Sequence, residues 1–399
     1  MVLLLTLLGW FLFFRNSTTP STTEAPVGGS PFGSAEGVSI PALDSQTTVG
    51  GTTSFDQNIS AETKLFRISN TPVAGFTILK RNSEAVVRYV DRATGNIFET
   101  TLPQSASSTS LEKKRLTNNT LPKIYEAYFN SDGSKVLFRT LENDTDVVKN
   151  MTLTLTSPRS TSTSEFYGVS VTNLRGDLDS FLVSGNNLFY VSKDKSSIVS
   201  SDFSGDKLLT LFSASFNNWH LDKIGNSLLV STKPSALSEG YVYRLPTTGG
   251  SLSKLLGPLN GLSAVANSTG SLLLYSYNEN GVVKLFVKNI QKDTSSEILP
   301  ATLADKCVWS VKESTSFYCG TSLKGISGIE PDNWYLGRTH FTDYIWRFNT
   351  TSEVAQLVSE PKTDFGLDLD VSKPTLSPNE DFLIFVNQRD LTLWAVKLN

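Results

Sequence analysis

The sequence predicts an all-β fold, a single seven-bladed β-propeller, on three observations. A unit of apolar strand, polar turn, second apolar strand and alternating third strand closes the chain, from Leu376 to Leu398. A second copy of its turn and strand stands far upstream, at Tyr128 to Phe138 (YFNSDGSKVLF). Outside Met1–Phe14 there is no long stretch with a period of 3.6 residues. A unit of this kind cannot bury both faces alone, so copies must stack.

The chain begins with one apolar run, MVLLLTLLGWFLFF, from Met1 to Phe14. As a helix at about 1.5 Å per residue it would reach roughly 21 Å, short of the ~30 Å hydrocarbon core. Three readings stand: a signal-peptide core, a signal anchor, or a transmembrane helix whose start lies further upstream; a buried core helix, the plain alternative, is disfavoured by the disorder-prone sequence that follows at once. A basic leading region and a small-residue cleavage site are both missing, which favours the anchor. Residues 16–61 (NSTTPSTTEAPVGGSPFGS and onward) lack a sustained apolar period and read as a disordered Ser/Thr/Pro-rich stalk. The expected organisation is residues 1–15 as anchor or signal, 16–61 as linker and 62–399 as propeller, with the globular part outside the cytoplasm, at the membrane or secreted.

Seven units follow in order. The first begins near Ala74 (AGFTIL, AVVRYVDRATGNIFETTL). The second begins at Ile124 (IYEAYFNSDGSKVLFRTL, VVKNMTLTLT), and the third at Leu178 (LDSFLVSGNNLFYVSKD, SIVSSDF, KLLTLFS). The fourth begins near Asn217 (NNWHLDKIGNSLLVSTK, GYVYRLP), and the fifth near Gly261 (GLSAVANSTGSLLLYSYN, VVKLFVKNI). The sixth begins near Asp305 (DKCVWSVKESTSFYCGT, YIWRFNT, VAQLVSE), and the seventh near Asp368 (DLDVSKPTLSPNEDFLIFVNQ, LTLWAVKLN). Spacings of about 40 to 60 residues suit propeller blades. Turn chemistry falls where it is needed, at Thr94-Gly95, Asp132-Gly133, Gly185-Asn186 and Asn280-Gly281. The seventh unit stops at its third strand. The strand-like Thr63–Ile68 is therefore expected to supply the fourth, outer strand of that last blade and leave no open edge. A β-sandwich with a smaller second domain is the competing reading, weakened by the absence of any composition break.

The turn-plus-strand units resemble the WD40-like repeats of TolB-type propellers, whose pattern is roughly S-P-D-G before an apolar strand. The seventh unit carries the resemblance best, through Ser377-Pro378-Asn379-Glu380 and Leu393-Trp394; the second carries it through Ser131-Asp132-Gly133, and the fifth more weakly through Asn267-Ser268-Thr269-Gly270. The layout of anchor, stalk and divergent propeller is also similar to surface propellers of bacteria with small genomes. The resemblance implies the fold and supplies no activity.

The charge balance, 35 basic against 38 acidic residues for a net −3, argues against nucleic acid and anionic lipid as partners. The two cysteines, Cys307 and Cys319, flank a hairpin whose turn falls near Lys312 to Thr315. Folding it about Glu313 sets them opposite each other, close enough for a disulfide in an oxidising compartment. The alternative is a pair of buried thiols.

Catalytic signatures are scarce. Only His220 and His340 could serve a serine triad, and there is no nucleophile elbow, phosphate loop or dinucleotide fingerprint. The expectation is a non-enzymatic protein with no cofactor and no metal. Asp364, Asp368 and Asp370 crowd the start of the seventh unit as a cation site or, more simply, as solvated loop carboxylates. Asn143-Asp144-Thr145-Asp146 lacks the glycine and distal glutamate of a calcium loop. Two surfaces remain. One is the sixth-unit insertion Gly325–Asp343, holding Trp334, Tyr335, Arg338, His340 and Phe341 as recognition residues or as a cap on the core. The other is one channel mouth, where Tyr125, Glu126, Trp219, His220, Lys306, Trp309 and Asp370 are expected to gather, the tryptophans either stacking on a ligand or packing between blades. The expected partner is a protein or an envelope glycan. The alternative function is a glycan-binding or glycan-processing propeller with Glu126 and Asp370 as its carboxylate pair.

Overall fold

A computed structural model describes residues 53–54, 64–103, 111–142, 147–158, 165–322 and 324–398. The apolar run at Met1–Phe14, nearly all of the stretch read as stalk, and the Asn143–Asp146 loop lie outside the described residues. Among the described residues no helix is long and apolar enough to cross a membrane.

The chain forms a seven-bladed β-propeller. Seven antiparallel sheets follow one another in sequence order, one for each predicted unit. Their innermost strands are Val73–Arg81, Ile124–Phe129, Leu178–Ser184, Trp219–Ile224, Ser263–Ala266, Cys307–Trp309 and Val371–Leu376. Each inner strand runs from what we term the upper face to the lower face, and the second strand returns.

Stacking explains the sequence pattern. The second strand of a blade is covered on both sides by neighbouring blades, so both of its faces are buried. Phe382–Asn387 and Ser316–Ser322 are buried at every position, which is why these segments read as continuous apolar runs. Outermost strands such as Thr294–Glu297 are exposed throughout. Seven hydrophobic clusters fill the seven gaps between blades. Packing is closest where Gly75 meets Ala127: a Cβ there would lie 1.9 Å from the Ala127 carbonyl oxygen.

The ring closes as the truncated last unit requires. Leu65–Arg67 pairs antiparallel with Leu393–Lys397, Leu65 opposite Val396 and Arg67 opposite Trp394, as the outer strand of blade 7. Phe66 packs edge-on against Phe382, ring centroids 6.1 Å apart. One further strand departs from the sequence expectation. Thr53–Ser54, within the stretch read as linker, pairs with Glu112–Lys113 and adds a fifth strand to blade 1. Cys307 stands opposite Cys319, and the two form a disulfide inside the core between blades 5 and 6.

Candidate functional site at the upper mouth

Inner strands begin at the upper face, and second strands end there. The sixth-blade insertion, which leaves the second strand at Ser322, therefore sits over the same mouth that the strand-start residues ring. Two surfaces that look separate in the sequence are one.

The insertion is braced against three neighbouring blades. The Asp332 carboxylate accepts a hydrogen bond from Ala236 N of blade 4 (2.7 Å). Asn278 of blade 5 donates to the carbonyls of Gly328 and Glu330 (2.9 and 3.0 Å). Ser327 bridges to Val282, and Arg389 of blade 7 donates to the Phe341 carbonyl (3.2 Å). Trp334 and Phe341 are buried with Val283, Leu303 and Ile326 in a small core of their own.

Beneath this cap lies a charge cluster that no solvent reaches. Lys306 is fully buried and pairs with Asp343 (2.8 Å) and with Asp370, and it donates to the Val371 carbonyl (3.1 Å). Asp370 also accepts from Trp334 Nε1 (3.0 and 3.1 Å to its two oxygens) and from Phe341 N (3.0 Å). Asp343 accepts from Val371 N through Oδ2 (2.7 Å), while its Oδ1 is buried without a hydrogen-bond partner. Burial pushes the Asp343 carboxyl up to about 6, Lys306 acting against the shift and Asp370 with it. One cation between two carboxylates thus ties blades 6 and 7 to the cap.

The structure redistributes the residues named from sequence. Trp219 is buried between blades 3 and 4, its Nε1 donating to the Phe216 carbonyl, and Trp309 is buried between blades 5 and 6, donating to the Val265 carbonyl. Neither offers a stacking face at the mouth. Trp219 opens its strand, and a tryptophan there looks the same in sequence whether it turns to the channel or into the gap; Trp309 closes its strand, Cys307–Trp309, and lies toward the lower face. Trp334, Lys306 and Asp370 are internal supports. His220 is exposed at the mouth, and Tyr125 is half-buried beneath the Arg139 guanidinium (5.2 Å), its hydroxyl pushed up to about 12 by burial. His340 is partly exposed, with Nδ1 3.5 Å from Asp370. Arg338 is exposed. Glu126 is held by Arg139 (2.7 Å) and Asp370 by Lys306. Asp368 is taken by Lys362 (2.7 Å) and Thr342 (2.9 Å), and among the described residues no cluster of His, Cys, Asp or Glu could hold a metal.

Several residues of the mouth escape sequence reasoning. Asp179 gathers Arg139 (3.4 Å), Lys193 (3.2 Å) and Lys233 (2.6 Å) from blades 2, 3 and 4, and these hydrogen bonds and charges hold its carboxyl well below the usual range despite its burial. In blade 4, burial raises Asp222, with Asp305 adding to the shift and His220 opposing it. Tyr335 donates to Asp305 Oδ2 (2.5 Å) while its ring stays 42% exposed. Lys373, an exposed left-handed residue (φ 50°) in an inner-strand bulge, lies within electrostatic reach of Glu126, Arg92 and Arg139. One signal is legible: Arg139 interrupts the apolar run VLFRTL, and a buried arginine demands a carboxylate such as Glu126, its register partner.

Around the cap the surface turns apolar. Leu237, Ile329, Tyr335 and Leu336 are 77, 48, 42 and 63% exposed on contacting segments.

No protein-family profile matches the chain, and no curated protein sequence matches it. Solved structures do. Oligogalacturonate lyase from Vibrio parahaemolyticus aligns with a TM-score of 0.52 at 10% identity, covering 88% of this chain and 97% of that one. YCF48 bound to a D1 peptide aligns at 0.50 and 11% identity, over 88% and 100%. TolB from Acinetobacter baumannii aligns at 0.41 and 14% identity, over 71% and 65%. The likeness is one of propeller fold.

Proposed function

We propose that this chain is a non-enzymatic, extracytoplasmic propeller, membrane-anchored through its N-terminal segment, that binds a protein segment across its upper mouth. The observation that carries the reading is the set of exposed apolar side chains beside a charged channel, Ile329, Tyr335 and Leu336 on a braced cap and Leu237 on the blade-4 loop hydrogen-bonded to it. Large apolar side chains held in place lose little freedom on docking. The channel carries charges of both signs, Lys193 and Lys233 gathered on Asp179 and Asp222 within electrostatic reach of Asp305, which suits the orientation of a peptide. The YCF48 structure is of a propeller carrying a peptide, a precedent for the mode of binding at the level of fold.

A glycan-processing role would require two carboxylates about 5–10 Å apart and free to act. Glu126 and Asp370 are both engaged in ion pairs, with Arg139 and Lys306, which weighs against it.

The test is crosslinking and pull-down from intact cells, comparing wild type with Tyr335→Ala/Leu336→Ala/Arg338→Ala. These side chains are exposed, so folding should be retained by circular dichroism. Loss of specific partners supports the reading; retention of the same partners by the folded variant refutes it.

A further inference from the structure

A second concavity opens on the opposite face. A cleft of about 570 Å³ lies between blades 3 and 4 where inner strands end, with Lys135 of blade 2 at its edge. That volume suits a small ligand. Its charge departs from that of the whole chain. Lys135, Lys207 and Lys223 line it against a single acid, Asp202. Asp202 is committed to its own turn, where Oδ1 accepts from Ser204 N, Ser204 Oγ and Asp206 N. Lys207 stands 3.9 Å from its other oxygen and is 85% exposed. Lys135 and Lys223 have no acidic partner within ion-pairing distance among the described residues.

The cleft is also furnished with unused polar groups. The side chains of Ser184, Asn187, Ser200, Asn226 and Ser227 line it and make no hydrogen bond within the described residues. A row of amides and hydroxyls supplies paired donors and acceptors, the complement of a polyol. The floor is Leu182, Phe189 and Leu228, of which Phe189 and Leu228 are buried. No exposed aromatic is available to stack a nucleobase, and no deep apolar socket to anchor a peptide side chain. The rim is preformed: Asn130 donates to Asn186 Oδ1 (2.7 Å) and Ser131 N to the Gly185 carbonyl (3.3 Å), fixing the turn of blade 3 to blade 2.

We propose that this lower-face cleft binds a short anionic saccharide, the lysines meeting its carboxylate or phosphate and the serine and asparagine side chains its hydroxyls. The site is separate from the upper mouth and independent of the role proposed for it.

The experiment is calorimetric titration of the full chain in detergent at low salt. The probes are hyaluronan tetrasaccharide as a carboxylate saccharide, glucose 6-phosphate as a phosphate one, maltotetraose as a neutral one, and inorganic phosphate. The expected result is saturable binding of at least one acidic saccharide, which identifies the anion, with maltotetraose and inorganic phosphate much weaker. Each of Lys135→Ser and Lys223→Ser should weaken it roughly two- to fivefold, and the triple variant with Lys207→Ser on the order of tenfold or more. Tyr335→Ala/Leu336→Ala should leave it unchanged. The proposal is overturned if neither acidic saccharide binds, if the triple variant binds as well as wild type, or if inorganic phosphate binds equally, which would mark an adventitious ion only.

Discussion

Replacing Lys306 with methionine probes the support under the cap most directly. The substitution keeps the side-chain volume but leaves Asp343 and Asp370, both fully buried, facing each other without their cation. Breaking a buried ion pair from one side costs about 3–5 kcal/mol. With an unfolding entropy of about 2.1 cal/mol/K per residue across a propeller of this size, that corresponds to a melting point lower by roughly 4–7 °C. The loss should depend on pH. Asp343 already has a folded-state pKa of about 6, above its ordinary value of 3.8, so its contribution to stability is full below 3.8 and is lost as pH rises through 6. Removing the cation raises the Asp343 carboxyl further, so the variant's deficit should be larger at about pH 8 than at about pH 5, where a proton takes over part of the lysine's role. Lys306→Met/Asp343→Asn should recover a substantial part of the loss by removing one of the two charges. Thermal and urea unfolding at both pH values measure this. A deficit below about 1 kcal/mol, or an equal one at the two pH values, would refute the account of the cluster as a cation-bridged support.

Three further outcomes follow from the same geometry. Phe66→Ala should cost about 3–5 kcal/mol and raise hydrogen exchange along Leu393–Lys397, because Phe66 holds the closing strand against Phe382; unchanged exchange there would argue against closure by this strand. The Cys307–Cys319 bridge, with a sequence separation of 12, should contribute about 3 kcal/mol by the loop-entropy relation, read as the drop in melting point on full reduction, and neither thiol should alkylate without reductant. Asp179 has a folded-state pKa below 3.8, so its stabilisation is present above 3.8 and lost as pH falls through the folded value; Asp179→Asn should flatten the acid limb of the stability profile, and an unchanged limb would remove Asp179 as its source.

The candidate site is legible in the sequence only in part. The insertion stands out as a break in the blade spacing, and Glu126 and Asp370 as charges at strand starts. Their partners do not. Arg139 lies 13 residues from Glu126, and Lys306 lies 64 residues from Asp370, so nothing in local spacing links the second pair. The direction in which Trp219 turns is equally hidden, since channel and gap are both apolar-tolerant at the first residue of an inner strand; Trp309 ends its strand, Cys307–Trp309, and so falls away from the upper mouth.

What the sequence determined by itself was what depends on local chemistry and repetition. Period-two strands and polar turns set seven blades. A seventh unit lacking its outer strand required closure by Leu65–Arg67, and a hairpin symmetric about Glu313 put Cys307 opposite Cys319. What only the tertiary structure decided was which distant charges meet. Closing the ring brings the starts of all inner strands to one mouth, folds the sixth-blade insertion over it, and seals Lys306 between Asp343 and Asp370. It also leaves Lys135, Lys207 and Lys223 around one cleft on the other face. These arrangements arise from the angles between blades, which no stretch of sequence shorter than the whole ring encodes.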